Sequence, residues 1–435
     1  MIRLIFKFLI LTLLISCTDK SIIISENRKK VFIDIDELKI NEDVSSEIFD
    51  LGSEIPNNSF THNGYNSSHS GGHLLGPKNK LVKVWSKDIG VGTSKNNIIM
   101  PNLIAKGSVI YTMDTQNRVL ALNIEDGSKL WESNVGDRKN SYSASPGGLA
   151  IKDNELYVQL GGLKIFSLNA LTGSELWEAS FDFPIVSGPV VNSKGVFVTL
   201  IDGTLVHLDR NNGKLQWEDK VENEKKEVVG TGSVALNSSV VVSPRLGGDI
   251  TILNISDGSF LFEDNLALLS PKSAIEQISS INAHPSIVEN NVYAVAQNGR
   301  LISFDLVNGF LNWELEISSS QMPWIAGDSL FIITDDAKLL CIRREDGEIR
   351  WITKLPYLVE ENLLRFQKFI VHFGPIVASE KIYLVSSDNR LRVFDARNGK
   401  LIDEKRFSKS FTTPPIIINS VLFLINDNAK LYAFK

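Results

Sequence analysis

The sequence has few of the residues from which disulfide, metal and catalytic sites are built. Cys17 and Cys341 are the two cysteines among 435 residues, and there are six histidines. Two cysteines exclude the multi-disulfide framework of small secreted domains. With 43% hydrophobic and 22% charged residues, the composition is that of a folded globular chain and excludes general disorder.

Positive charge and long apolar segments are also scarce. The formal net charge is −6 and the basic residues form only short runs, which excludes a nucleic-acid-binding face. The one apolar run, Leu4 to Ile15, is shorter than the roughly 20 residues of a membrane-spanning helix. It predicts a signal peptide over residues 1–16. Cleavage would remove Arg3 and Lys7, changing the net charge from −6 to −8.

The end of this run predicts a lipid anchor. Leu14-Ile15-Ser16-Cys17 resembles the lipobox of bacterial lipoproteins, in which the cysteine receives diacylglycerol and becomes the new N-terminus. Cys17 is therefore the predicted lipidation site, and the alternative is an ordinary secretory signal with a chance cysteine. Because each buried methylene contributes about 0.8 kcal/mol, several acyl chains would hold the protein stably on a membrane surface.

Residues 17–80 are rich in Ser, Asn and Gly and predict a lipid-anchored tether followed by a polar, loosely packed lead-in. This segment holds His62, His69 and His73, the one cluster of histidines. A zinc site is conceivable there, but structural zinc sites normally use four ligands, often including cysteine. Packing of a polar lead-in on the following domain is the favoured interpretation, and no metal is expected.

A repeated unit fills residues 81–435. It is marked by glycines at intervals of 38 to 52 residues, the period of a β-propeller blade: Gly127, Gly173, Gly213, Gly258, Gly309, Gly347 and Gly399. An apolar residue stands five positions before each glycine. An aromatic residue stands four positions after each of them except the last, where the residue is Asp403.

The unit predicts strands joined by tight turns, with a large aromatic side chain beginning the outer strand. Glycine suits the turn because a residue there has a positive φ. A single blade cannot bury the aromatic ring, so the ring must pack against the next blade. The predicted blade-docking residues are Trp85, Trp131, Trp177, Trp217, Phe262, Trp313 and Trp351.

The two ends of the repeat region predict how the ring closes. The last unit ends at Lys435 without an outer strand, and Leu81 to Ser86 has the tryptophan-bearing pattern without a preceding turn. Pairing the two ends completes one composite blade and removes free sheet edges. The predicted fold is an all-β, eight-bladed β-propeller whose last blade is closed by N-terminal and C-terminal strands.

The Gly-x-x-x-Trp units resemble the repeat of quinoprotein dehydrogenases and their non-enzymatic relatives. Within that set, the mature chain most resembles the BamB family of lipoproteins, through Gln321 to Asp328, Cys341, Trp351, Leu355-Pro356, and Gly64 to Asn66 with His69 and His73. The resemblance implies a scaffold without cofactor at the periplasmic face of the outer membrane. It would bind the periplasmic domains of the barrel-insertion protein and assist insertion of unfolded outer-membrane proteins.

The resemblance also implies where the partner would bind. Two loop motifs of the family, one containing an arginine and the other a pair of aspartates, align with Val228, Val229 and Gly230 and with Ser280 and Asn282. Of these positions Gly230 alone matches the family pattern. These five residues are the candidate partner-binding positions.

Two other functions are compatible with a propeller. One is recognition of envelope polysaccharide, or sensing. The other is a quinone-dependent dehydrogenase, but such enzymes resemble one another in an adjacent cysteine pair that Cys17 and Cys341 cannot form. Cys341 lies between Leu340 and Ile342 in a predicted strand, where it is interpreted as a small core residue. The chain is therefore not expected to be an enzyme.

Overall fold

Strands account for nearly all of the regular structure. The computed structural model describes residues 38–94, 101–136, 147–220, 232–245, 247–268, 280–359 and 368–435. Within them a short helix, α1 (Glu42–Ser46), precedes 33 strands that form eight antiparallel sheets. No helix in these ranges combines the length and apolar character needed to cross a bilayer.

The first four blades follow one another along the chain, each with its strands in sequence order. Blade 1 contains β3 (Ile104–Lys106), β4 (Val109–Met113), β5 (Arg118–Asn123) and β6 (Lys129–Asn134). Blade 2 contains β7 (Gly148–Lys152), β8 (Glu155–Gln159), β9 (Lys164–Asn169) and β10 (Glu175–Ser180). Blade 3 contains β11 (Val190–Val191), β12 (Val196–Thr199), β13 (Leu205–Leu208) and β14 (Leu215–Asp219). Blade 4 contains β15 (Ala235–Leu236), β16 (Val240–Pro244), β17 (Asp249–Asn254) and β18 (Phe260–Asn265).

The remaining blades include the composite one. Blade 5 contains β19 (Ser286–Val288), β20 (Asn291–Val295), β21 (Leu301–Asp305) and β22 (Leu311–Leu315). Blade 6 contains β23 (Trp324–Ala326), β24 (Ser329–Ile333), β25 (Lys338–Arg343) and β26 (Ile349–Lys354). Blade 7 contains β27 (His372–Ala378), β28 (Lys381–Ser386), β29 (Arg390–Asp395) and β30 (Leu401–Arg406). Blade 8 contains β31 (Ile416–Ile418), β32 (Val421–Asn426), β33 (Lys430–Phe434) and, from the other end of the chain, β2 (Lys83–Asp88).

The first strand of each blade lies nearest the axis of the ring. These strands are mostly buried, and several contact first strands of neighbouring blades, as β3 contacts β7 and β23 contacts β27. The fourth strands alternate between exposed and partly buried residues, because one face packs on the blade and the other meets solvent. The apolar core therefore lies between blades, around the ring.

The ring closes through β2 and β33. These strands pair antiparallel, with Trp85 opposite Ala433 and Lys83 opposite Phe434. The prediction of eight blades, the last closed by strands from both ends of the chain, is confirmed.

Seven aromatic rings join the blades in one repeated geometry. Each lies against the turn glycine of the next blade, whose φ is between +68° and +81°. The pairs are Trp85 with Gly127, Trp131 with Gly173, Trp177 with Gly213, Trp217 with Gly258, Phe262 with Gly309, Trp313 with Gly347 and Trp351 with Gly399. Each tryptophan also donates its ring N–H, over 2.9 to 3.2 Å, to the carbonyl three residues before that glycine. A Cβ on a glycine facing tryptophan would lie only 2.5 to 2.8 Å from the ring, so the turn and ring are mutually fitted.

Phe262 is the one ring in this series without a hydrogen-bond donor. The equivalent carbonyl would be that of Leu306, and a Cβ on Gly309 would lie 3.4 Å from Phe262, so this contact is looser. We expect Phe262→Trp to raise the free energy of unfolding by about 1 kcal/mol, because it adds a hydrogen bond between blades. Urea denaturation checks this. Trp313→Phe is the reciprocal control and should lower stability, whereas a loss of stability in Phe262→Trp would contradict the geometry.

The lead-in runs around one mouth of the ring and contacts the inner part of all eight blades. It adds strand β1 (Ser59–Phe60) to the free edge of β3 in blade 1. The other contacts, listed by blade, join Thr61 to Ile151 in blade 2, His62 to Val191 in blade 3, Ser67 to Leu236 in blade 4, Ser68 to Ile287 in blade 5, Gly72 to Trp324 in blade 6, Leu74 to Val377 in blade 7 and Asn57 to Asn419 in blade 8.

The lead-in is not loosely packed. Leu51, Phe60 and Leu74 are buried in the same core as blades 6, 7, 8 and 1. The prediction of loose packing from the polar composition of this segment is wrong for residues 51–74. Backbone hydrogen bonds to the inner strands hold the segment, and these require no apolar periodicity.

Candidate partner-binding face

The lead-in covers the centre of one of the two faces of the propeller. The turns after the first and third strands of each blade lie on one side, together with the lead-in, and we call this the lead-in face. The turns after the second strands lie at the other ends of the strands, as do the connections between blades, and we call this the opposite face. Loops on one rim of a repeat scaffold commonly form its binding surface.

The candidate partner-binding residues fall on connections between blades. Val228, Val229 and Gly230 lie outside the described residues. Ser280 and Asn282 lie on the opposite face, against Gln297 in the turn between β20 and β21. The backbones of Ser280 and Gln297 exchange hydrogen bonds, and the Asn282 amide donates to Gln297 Oε1 at 2.9 Å. The structure therefore brings two of the five predicted residues together.

A buried arginine lies beside the start of each of these two connections. Arg245, in blade 4, donates to the Gly203 carbonyl at 2.8 Å and forms an ion pair with Asp219, the last residue of β14. Its side chain is 6% exposed. Desolvation lowers the pKa of the Arg245 guanidinium, and the Asp219 carboxylate opposes that shift. Arg245 thus joins blade 4 to the end of blade 3.

Arg300 makes the equivalent link between blades 4 and 5. Its guanidinium donates to the carbonyls of Asn265 at 2.6 Å and Ala267 at 3.2 Å, and it pairs with Glu314. Asn265 is the last residue of β18. Because buried carbonyls need donors, Arg300 fixes the chain as it leaves blade 4 on the opposite face.

Removing the Arg300 guanidinium should loosen this corner while leaving the propeller folded. We expect Arg300→Met to lower the free energy of unfolding by about 1–3 kcal/mol, because two carbonyls lose their donors. Hydrogen–deuterium exchange should become faster at residues 264–268 and stay unchanged at residues 256–260, at the other end of β18. Arg343→Met, on the lead-in face, is the matched control. Equal exchange in wild type and Arg300→Met would show that Arg300 does not hold this segment.

The three histidines of the lead-in contact three different parts of the ring. His62 Nε2 accepts from the backbone N–H of Val191 at 3.0 Å, in blade 3. His69 Nδ1 donates to the Pro285 carbonyl at 2.9 Å, ahead of blade 5. His73 accepts from the N–H of Glu380 at 3.0 Å, in blade 7. They are therefore spread around the mouth of the ring. Among the described residues no three His, Cys, Asp or Glu side chains are placed to share a metal ion.

Burial keeps several of these imidazoles neutral. Desolvation is the main cause that lowers the pKa of His62 to about 3 and that of His69 to about 4. His284 lies beside His69, with ring centroids 4.9 Å apart, and desolvation together with His69 lowers its pKa to about 3. Its Nδ1 accepts from the backbone N–H of Ser233 at 2.8 Å. Neutral histidines here act as hydrogen-bonding groups that connect the lead-in and the inner strands.

Cys341 is a core residue, as predicted. It lies in β25 between Phe331 and Trp351 in the sheet and is fully buried without a disulfide partner. Burial raises the pKa of its thiol to about 12, so it does not form the reactive thiolate.

Comparison with known proteins identifies the family. The family model described as outer membrane protein assembly factor BamB matches residues 115–353, more than half of the chain. The chain belongs to the BamB family. A BamB from Moranella endobia is 22% identical over 250 residues, which are 57% of this chain and 61% of that protein. A BamB from Salmonella typhimurium is 22% identical over an alignment of 394 positions that covers 80% of this chain and 88% of that protein. The chain thus spans about three fifths of the length of the first relative.

Solved structures share the architecture. The crystal structure of BamB from Moraxella catarrhalis superposes with a TM-score of 0.68 at 18% identity, covering 82% of this chain and all of that one. A quinohemoprotein alcohol dehydrogenase from Pseudomonas putida also reaches 0.68, at 11% identity, covering 89% of this chain and 83% of that one. At such identities the likeness shows the fold alone. The expectation that the chain is not an enzyme agrees with its membership of the BamB family, whose members are named as assembly factors.

Sequence reasoning missed the burial of Arg245 and Arg300, two of the four arginines that are buried among the described residues. Each stands beside a glycine turn: Arg245 comes shortly before Gly247 and Gly248, and Arg300 directly follows Gly299. A charged residue next to a turn is usually exposed, so burial could not be anticipated from this spacing. In this BamB-family propeller, both arginines support the opposite face.

Proposed function

We propose that this protein is a non-catalytic, lipid-anchored subunit of the machinery that assembles outer-membrane β-barrel proteins. It would sit at the periplasmic face of the outer membrane, bind the barrel-insertion protein through its periplasmic domains, and assist insertion of unfolded outer-membrane proteins. The observation that carries this proposal is the match of the BamB family model over residues 115–353, on a chain folded as an eight-bladed propeller.

The opposite face is the surface that we assign to this contact. The lead-in occupies the centre of the other face through contacts with all eight blades. The opposite face carries Ser280 and Asn282, and the buried Arg245 and Arg300 give it a rigid base. Rigid support matters because a preorganised surface loses less conformational entropy on binding.

Cys17 supplies the proposed anchor, and it lies outside the described residues. The net negative charge of the chain does not favour adhesion to anionic headgroups, which is why covalent lipid is proposed as the attachment. Metabolic labelling with a radioactive fatty acid tests this: wild type should carry label and Cys17→Ser should not.

Co-purification tests the proposed partner. The full-length chain, tagged at its C-terminus, is recovered from envelopes solubilised in mild detergent, and the retained proteins are identified by mass spectrometry. The proposal expects the barrel-insertion protein in the eluate. Its absence, together with retention of envelope polysaccharide on the propeller, would contradict the proposal and support a glycan-binding role.

A further inference from the structure

One of the eight junctions between blades lacks the fourth-strand aromatic ring that the other seven contain. In the other seven junctions the ring belongs to a residue of the fourth strand. That residue pairs with one in the third strand, which in turn pairs with one in the second strand; in blade 6 these residues are Trp351, Cys341 and Phe331. The corresponding row of blade 7 is Asp403 opposite Val393 and Val393 opposite Tyr383. Asp403 therefore occupies the position of the tryptophan at the junction of blades 7 and 8.

The reason for this exception is the way the ring closes. Each aromatic ring elsewhere rests on the turn between the third and fourth strands of the next blade. In blade 8 these are β33 and β2, which come from opposite ends of the chain, so no turn joins them. A tryptophan in place of Asp403 would have no turn glycine to cover and no turn carbonyl to bond.

A cavity is present at this junction. It has a volume of about 280 Å³ and is lined by Tyr383, Val393, Ile402 and Asp403 from blade 7 and by the lead-in from Lys78 to Leu81, with Lys381. Pockets for drug-sized molecules begin at roughly 300 Å³, so this cavity suits a single large side chain better than a cofactor. We call it the blade 7–8 slot.

The lead-in wall of the slot is firmly held. Lys381 Nζ donates to the carbonyls of Pro77 at 3.1 Å and Lys78 at 2.8 Å, and Tyr383 Oη donates to the Pro77 carbonyl at 3.3 Å. Tyr383 is 1% exposed. These hydrogen bonds hold the lead-in against blade 7 at Pro77 and Lys78, where it reaches the slot.

The charges around the slot indicate the character of its occupant. Three lysines line it, Lys78, Lys80 and Lys381, against the single carboxylate of Asp403. Lys78 and Lys80 are exposed at its edge. The Tyr383 ring and the Val393 side chain beside three lysines, on a chain with net charge −6, fit an aromatic ring flanked by negative charge.

We propose that the blade 7–8 slot binds an aromatic side chain of a partner polypeptide, in an extended segment whose neighbouring residues are acidic. The ring enters where the other junctions hold their own tryptophan, and the flanking carboxylates pair with Lys78 and Lys80. This proposal does not depend on the proposed function, since it concerns recognition of a short peptide segment by the purified chain.

Binding of a defined peptide tests the proposal. The probe is a fluorescein-labelled, acetylated and amidated peptide, Gly-Asp-Trp-Glu-Gly-Ser, titrated with the detergent-solubilised mature chain and followed by fluorescence anisotropy. Two comparison peptides replace the tryptophan by alanine or both acidic residues by lysine. We expect each comparison peptide to bind at least about tenfold more weakly, corresponding to about 1.4 kcal/mol.

Two variants locate the binding in the slot. Asp403→Trp fills the slot from within the chain and should weaken binding at least about tenfold without lowering the thermal unfolding midpoint. The double variant Lys78→Glu and Lys80→Glu should weaken binding similarly, and it serves alone if Asp403→Trp fails to fold. Lys400→Glu, exposed just before β30 and outside the slot, is the control and should bind as wild type does.

The outcomes are decisive in either direction. Loss of binding in the slot variants, with retention in Lys400→Glu, supports the proposal. Equal binding of the tryptophan and alanine peptides, or unchanged binding in the folded slot variants, overturns it. Because free peptide and purified chain suffice, either result leaves the co-purification test of the proposed function independent.

Discussion

Replacing Trp131 with alanine is expected to lower the free energy of unfolding by about 3–5 kcal/mol. The indole lies against Gly173 of the next blade, donates its N–H to the Ala170 carbonyl at 2.9 Å, and packs near Tyr111 of its own blade. The substitution opens a cavity between blades and removes one of two donors to the Ala170 carbonyl, which still accepts from Tyr111 Oη at 3.1 Å. Urea denaturation followed by far-ultraviolet circular dichroism measures the loss.

The glycine beneath the ring gives a second, separable test. Gly173 has a φ of +72°, and a Cβ there would lie 2.5 Å from Trp131, so Gly173→Ala combines backbone strain with a steric clash. Gly107 has a φ of +62° with nothing within 4 Å of its Cβ position, so Gly107→Ala is a control for strain alone. We expect Gly173→Ala to be clearly the more destabilising of the two.

A double-mutant cycle decides whether ring and glycine act as one unit. With Trp131 already reduced to alanine, the clash at residue 173 disappears, so the two losses should not add. A double variant as destabilised as the sum of the single variants would contradict the proposed packing of blade on blade.

Lowering the pH from 6.5 to 5 is expected to destabilise the folded protein by several kcal/mol. The buried His62 and His69 and the partly buried His284 have folded-state pKa values of about 3, 4 and 3, well below the 6.5 of an exposed imidazole. Burial also lowers the pKa of His207 and His372, which adds to the same trend. Each of the first three histidines should cost about 2 kcal/mol over this interval.

The direction of this change in stability with pH follows from proton binding. A group with a lowered pKa in the folded state binds fewer protons there than in the unfolded chain, so acid favours unfolding. The stability is fully present above pH 6.5 and is lost progressively as the pH falls toward 4 and 3. Carboxylates with lowered pKa values, such as those of Asp346 and Glu380, titrate below this interval.

His69→Gln tests the assignment of this pH dependence. The free energy of unfolding is measured by urea denaturation at several pH values between 5 and 7 for wild type and variant. The variant should lose about 2 kcal/mol less than wild type between pH 6.5 and 5, whatever its stability at pH 7. The same slope in both proteins would mean that His69 is not titrated on unfolding.

Much of the ring could be predicted from the sequence because its signals are local and repeated. The glycine turns, the aromatic residue four positions later and the apolar residue five positions earlier recur in nearly every blade, and each reflects a short-range requirement. Closure was predictable as well, since Trp85 lacked a preceding turn and Phe434 lacked a following strand.

The course of the lead-in could not be predicted, because its contacts are made by single backbone groups and isolated side chains with residues as distant as Asn419. No periodic pattern records such contacts. Asp403 breaks the repeat in the sequence. The structure explains why no aromatic residue stands there, because β33 and β2 pair without a turn that such a ring could cover. The burial of Arg245 and Arg300 likewise depends on carbonyls from neighbouring blades.

Crosslinking from the two ends of a single strand is the most direct test of the claim that the partner binds the opposite face of the propeller. Lys214 and Lys220 flank β14 and are both exposed, one on the lead-in face and the other on the opposite face, roughly 20 Å apart at 3.3 Å per residue. A photoreactive amino acid is placed at either position in the full-length chain in cells. We predict crosslinks to the barrel-insertion protein from position 220 and none from position 214. Crosslinks from position 214 alone would contradict the account.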